Sequence, residues 1–173
     1  LIEQRVVPTE GTSNHYYHAR ETDSALVHVR QPASHEPFIV RPIGDFVEKF
    51  LFYRGVGQFD VPVQVTTDEA SRVVVTNKGS QPVTGMILLT VKDETLTMAR
   101  VPDCAAGEAH NITLPAEPVA MDVLRFAMTE QLIAAGLFEK EAIAMVNTWQ
   151  SSWFTEQGTR LFYLVPQQTT DEL

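Results

Sequence analysis

The stretch Ser71 to Leu114 constrains the fold most. It reads as Arg72-Val-Val-Val-Thr-Asn77, a Lys78-Gly79-Ser80 turn, Val83 to Val91, a turn at Asp93-Glu94, Leu96 to Val101, then His110 to Leu114. Runs of β-branched and large apolar residues, cut this often by turn residues, read as antiparallel strands, and short strands at this spacing predict a β-sandwich.

Upstream, Ala25 to Arg30 alternates as a strand and Phe38 to Ile43 forms a second extended run that stops at Gly44. Phe46 to Tyr53 is dense enough in aromatics to meet protein on both faces, so Phe46, Phe50, Phe52 and Tyr53 are expected core anchors. The first 24 residues follow neither the strand nor the helix period and read as an irregular lead-in.

From Pro118 the period becomes helical. Met121, Leu124, Met128, Leu132 and Ala135 line one face, and Gly136 stands where a left-handed cap belongs. A second helix fits Glu139 to about Phe154, with Ala142, Met145, Val146, Trp149 and Trp153 on one face and Glu139 and Glu141 near its positive end. The apolar run Arg160 to Val165 is expected to return to the sheet before Pro166. At 173 residues the chain is one domain by size, with a lead-in at 1–24 and a single unit at 25–173 that includes a helical hairpin at 118–154. The fold class is mainly β (α+β).

Charge then narrows the function. The net charge is −9, of which −5 falls on residues 115–173, and the thirteen Lys and Arg are scattered singly, so nucleic acid is excluded as a partner. No apolar stretch approaches the roughly 20 residues of a spanning helix, so membrane insertion is excluded as well. Leu1 is not a methionine and no basic, apolar leader precedes the first polar residues, so the expectation is a processed or trimmed chain. Cys104 is the only cysteine, which excludes an internal disulfide.

Several residues invite a chemical reading. His15-Tyr-Tyr-His18, with Glu21, Asp23, His28 and His35 downstream, is the densest set of metal-ligand types. Three-residue spacing converges two imidazoles only in a helix, so these are expected to be loop histidines, with no resident metal or cofactor. Cys104 and His110 suggest a thiolate–imidazole pair, but Asp103, two alanines and Glu108 surround them, and an inert thiol beside a turn is expected. No nucleophile elbow, phosphate loop or dinucleotide fingerprint occurs, and Gly55-Val56-Gly57 reads as a bend. Asn111-Ile112-Thr113 matches the glycosylation triplet but reads as strand. No catalytic residue is assigned.

The binding candidates are Arg54, Arg160, Trp149 and Trp153. The two tryptophans stand one turn apart, as a core stripe or as a recognition platform. The two arginines flank very apolar strands and call for carboxylate or carbonyl partners, Arg54 with Glu21 or Asp23.

The order Thr76-Asn77, Lys78-Gly79-Ser80-Gln81-Pro82-Val83, a long strand, then Ala106-Gly107-Glu108 resembles immunoglobulin-like modules of bacterial surface and envelope proteins. Ala19-Arg-Glu-Thr-Asp23, Glu48-Lys-Phe-Leu-Phe-Tyr-Arg-Gly55 and Glu141 to Phe154, carrying Trp149-x-x-Ser152-Trp153-Phe154, together resemble a group of uncharacterised exported proteins of Gram-negative bacteria. That resemblance implies a periplasmic or extracellular location and gives no residue a role. The expected function is a non-catalytic envelope module that binds a protein or positions a neighbouring domain. The alternatives are a metal-dependent hydrolase using His15 and His18, and a carbohydrate-binding module using Trp149, Trp153, Tyr16 and Tyr17.

Overall fold

The computed structural model describes residues 16–29, 46–50, 59–67 and 72–171. The expected strand at 38–43, the anchors Phe52 and Tyr53, and Gly55-Val56-Gly57 lie outside them. A 3-10 turn at Tyr17–Arg20 leads to β1 (Val27–Val29), which pairs antiparallel with β2 (Phe46–Glu48). There follow β3 (Val63–Thr67), β4 (Val73–Asn77), β5 (Met86–Lys92), β6 (Thr95–Val101) and β7 (Ala109–Ile112). Helices α1 (Met121–Ala134) and α2 (Glu139–Phe154) then form a hairpin, and β8 (Gly158–Phe162) and a short α3 (Gln167–Asp171) complete the described chain.

The fold is α+β, with two three-stranded antiparallel sheets ordered β3-β4-β7 and β6-β5-β8. Strand β8 does rejoin the sheet, pairing Ile87 with Phe162 and Val91 with Gly158. The β5–β6 hairpin closes on a two-residue loop, with Asp93 at φ 48° and Glu94 at φ 62°, as a type I′ turn demands.

Strand β5 explains the architecture. Its sequence Met86-Ile-Leu-Leu-Thr-Val is apolar on both faces because both are covered. Met86 and Leu88 join a cluster with Val63, Val73, Val75, Val101 and Ile112, contributed by both sheets. Ile87, Leu89 and Val91 point the other way, into a cluster with Leu124, Met128, Leu132, Val146 and Phe154 of the helices. Each such fully buried side chain contributes about 1.5 to 3 kcal/mol of transfer free energy, so β5 is the stabilising spine between the other sheet and the hairpin.

The helix ends obey local rules. At Gly136 (φ 107°) the chain turns out of α1, with Leu137 N–H on the carbonyl of Leu132 and Gly136 N–H on that of Ile133, a Schellman arrangement. At α2 the Glu141 carboxylate accepts from the Phe138 N–H at 3.1 Å, satisfying a donor at the helix start. Among the described residues no helix is long and apolar enough to cross a membrane.

The two sheets are joined at one end by a polar knot. Asn77 is fully buried, and its side chain donates to the carbonyls of Gln81 (2.7 Å) and Cys104 (2.9 Å) while accepting from Gly79 N–H (2.9 Å). Its backbone closes a ring with Glu108 and Gly107, and Cys104 pairs with Val83 in an isolated bridge. Here β4 crosses to β5, and β6 crosses back to β7.

Candidate functional site

Helix α2 is buried on two sides. Ala142 and Val146 meet the core with Phe154, whereas Ala144 and Thr148, on a different face, are 4% and 5% exposed because the 3-10 turn at Tyr17–Arg20 lies against them. Ala144 has no side chain beyond Cβ to hold the turn away, and Thr148 satisfies its hydroxyl by donating to the Ala144 carbonyl at 2.8 Å. Asp23 and Lys140, 117 residues apart, meet at 2.8 Å and tie the end of the lead-in to the start of α2.

The docked lead-in leaves two adjoining hollows along α2. The first, about 360 Å³, is walled by Tyr16, Ala19, Phe50, Met145, Thr148 and Trp149, with Lys49 and Glu141 as its charged groups. Tyr16 stands 5.8 Å from Phe50 and 6.4 Å from Trp149, ring centre to ring centre, and the Arg20 guanidinium sits 5.7 Å over Phe50. The second hollow, about 410 Å³, shares Ser24 and Glu141 with the first and adds Asp23, Phe138, Glu139 and Lys140. Phe138, at 79%, is the most exposed large apolar side chain described, and Met145 is 38% exposed.

Both charged groups of the first hollow already have structural partners. Lys49 donates to the Thr22 carbonyl at 2.8 Å, and Glu141 caps α2. Neither is poised against the other as an acid–base pair, and most of the remaining wall is aromatic or apolar.

The sequence candidates separate. Trp149 lines the first hollow. Trp153 packs between helix and sheet, 6.0 Å from both Phe154 and Phe162. Arg160 on β8 donates to the Trp153 carbonyl (3.2 Å) and to the Glu156 carboxylate (2.9 Å), which holds the C-terminal end of α2 to the sheet. Arg54, His15 and His35 lie outside the described residues. The acids expected to receive Arg54 have other described partners, Glu21 with His18 at 2.8 Å and Asp23 with Lys140.

Cys104 and His110 do come together, and Glu108 joins them. One donor atom from each lies within 4.8 Å of the others, a convergence that the sequence reading of two residues alone did not contain. The signal for the third was its place in Cys104-x-x-x-Glu108-x-His110. Cys104 is buried and its thiol donates to the Glu108 carbonyl at 3.2 Å, in keeping with a thiol beside a turn.

No protein-family model, no curated protein and no solved structure matches the chain.

Proposed function

We propose that this chain is a non-catalytic, immunoglobulin-like envelope module whose α2 groove and helical hairpin dock a protein partner or a neighbouring domain. The groove carries the reading. Two adjoining hollows run along α2 under an aromatic wall, with Phe138 and Met145 exposed at the rim, and contiguous apolar surface of this kind marks association sites. Val123 and Phe126 (64% exposed) stand three residues apart on one face of α1 and add exposed apolar surface to the hairpin.

The strand order supports the immunoglobulin-like part. Sheet β3-β4-β7 corresponds to strands A, B and E, and sheet β6-β5-β8 to C′, C and F, with the helical hairpin occupying the E–F connection. The envelope location rests on the three-segment resemblance alone.

Site-specific photocrosslinking in cells tests this reading. A photoreactive phenylalanine analogue at Phe138 or Met145 is expected to give adducts of one discrete mass, whereas the same analogue at Lys92, by the turn at the other end of α2, gives none. Equal labelling at all three positions overturns the docking role. Saturable sugar binding abolished by Trp149→Ala, with no protein adduct, replaces it with carbohydrate recognition.

A further inference from the structure

We propose that Cys104, Glu108 and His110 form a zinc-binding site that staples the crossover between β6 and β7. The proposal is independent of the docking role of the α2 groove.

Thiolate, carboxylate and imidazole are the ligand types that zinc takes, and donor atoms held within 4.8 Å of one another need only a small contraction to reach a tetrahedral set. The frame is rigid. Cys104 is fixed by its bridge to Val83 and by Asn77, Gly107 turns at φ 77°, and the Glu108 backbone is tied to Asn77 and Ala105. Three ligands from one seven-residue stretch, Cys104-x-x-x-Glu108-x-His110, are thus positioned by the knot that joins the sheets.

Each donor keeps a lone pair for the ion. Glu108 uses Oε2 to accept from Ala105 N–H at 2.8 Å, which leaves Oε1, 3.6 Å from His110 Nε2. The thiol now donates to a carbonyl, so binding exchanges its proton for zinc and releases that proton to solvent. His110 Nε2 now donates to the Asp103 carbonyl at 3.0 Å; on binding, that proton moves to Nδ1 through solvent and the Nε2 lone pair takes the ion. Cys104 is buried, His110 half-buried and Glu108 exposed, so the ion enters from the Glu108 side and sits over the thiolate. Three protein ligands leave a fourth position for water.

The test uses the whole chain, stripped of metal by chelation, with cobalt(II) and zinc as the probes. The expected result is one cobalt bound per chain, with thiolate-to-cobalt charge-transfer absorption in the near ultraviolet that zinc bleaches. Cys104→Ser removes the band. Because Cys104 lies in the core, the deciding variant is Glu108→Gln/His110→Gln, whose amides keep the hydrogen bonds to Ala105 and Asp103. It is expected to fold as wild type, by circular dichroism, and to bind at least about tenfold more weakly, the scale on which lesser perturbations of metal shells act. Cobalt binding without a thiolate band, no binding at all, or undiminished binding in the double variant each overturns the site.

Discussion

The side-chain amide of Asn77, at the end of β4, donates to the carbonyl of Cys104 at 2.9 Å and thereby holds the β6–β7 crossover against the other sheet. The same side chain serves Gln81 and Gly79, so Asn77→Ala removes three hydrogen bonds of a fully buried side chain, although the Cys104 carbonyl keeps the Val83 N–H and Gly79 N–H keeps the Pro62 carbonyl. The expected loss is about 2 to 4 kcal/mol, measured by urea unfolding, because three hydrogen bonds to a buried amide, worth about 1 kcal/mol each, are lost together. Asn77→Asp keeps the acceptor for Gly79 and loses the donors, so it should be nearly as damaging. A loss below about 0.5 kcal/mol for both would show that water replaces the amide freely.

Ala144 tests the docking of the lead-in. It is 4% exposed because the Tyr17–Arg20 turn covers it, and a larger residue there has to push that turn away. Ala144→Leu is expected to cost about 1 to 3 kcal/mol and to alter the fluorescence of Trp149, which lines the same hollow. Ile143→Leu, next door but 41% exposed, should change neither.

How much of this was legible in the sequence depended on the distance between partners. The hairpin from Met86 to Val101 was readable because its alternation, its turn and its pairing all lie within one short stretch. Helix α1 and its Gly136 stop were readable for the same reason. Strand β3 was not read: Val61, Val63 and Val65 alternate, but the run is short, is broken by Pro62, and buries only Val63 of the strand's five residues. The second buried face of α2 was invisible because Ala144 and Thr148 are a small and a polar residue, covered by chain more than a hundred positions away. The contact of Asp23 with Lys140 follows from the same non-local docking, while Arg54 lies outside the described residues. The groove arises from that docking, so it could not be read from either segment alone, although Trp149 was named from its helical spacing.

Arg160 bridges two elements, and its energy should come mainly from one of its partners. Its contact with Glu156 is an i,i+4 pair in which the carboxylate is 67% exposed, worth at most about 1 kcal/mol. The bond to the Trp153 carbonyl satisfies a helix-terminal acceptor beside the negative end of α2. Arg160→Met is therefore expected to lose about 1 to 2 kcal/mol, and Glu156→Gln less than half of that. A double-mutant cycle should give a coupling below about 1 kcal/mol. A coupling equal to the whole Arg160→Met effect would assign the role to the ion pair instead.

Tyr163, which follows β8 and packs against the cluster shared by the two sheets, supplies a pH dependence. Burial disfavours its phenolate and raises its pKa above the ordinary value of 10.0. The folded pKa is thus higher than the unfolded one, so the stability Tyr163 contributes is fully present below about pH 10 and is lost as pH rises through the folded value. Between those two values the unfolded chain has shed a proton that the folded chain still holds, and each increment of pH favours unfolding. Urea midpoints measured from pH 9 to pH 11 should therefore fall less steeply for Tyr163→Phe than for the wild type. Tyrosinate absorption should show the same group directly, as a late-titrating fraction present in the folded wild type and missing from the variant. Parallel slopes for the two proteins, with no late fraction in the wild-type spectrum, would mean that the phenol reaches solvent freely and that its packing against Leu161 and the sheet cluster is not what orders the chain after β8.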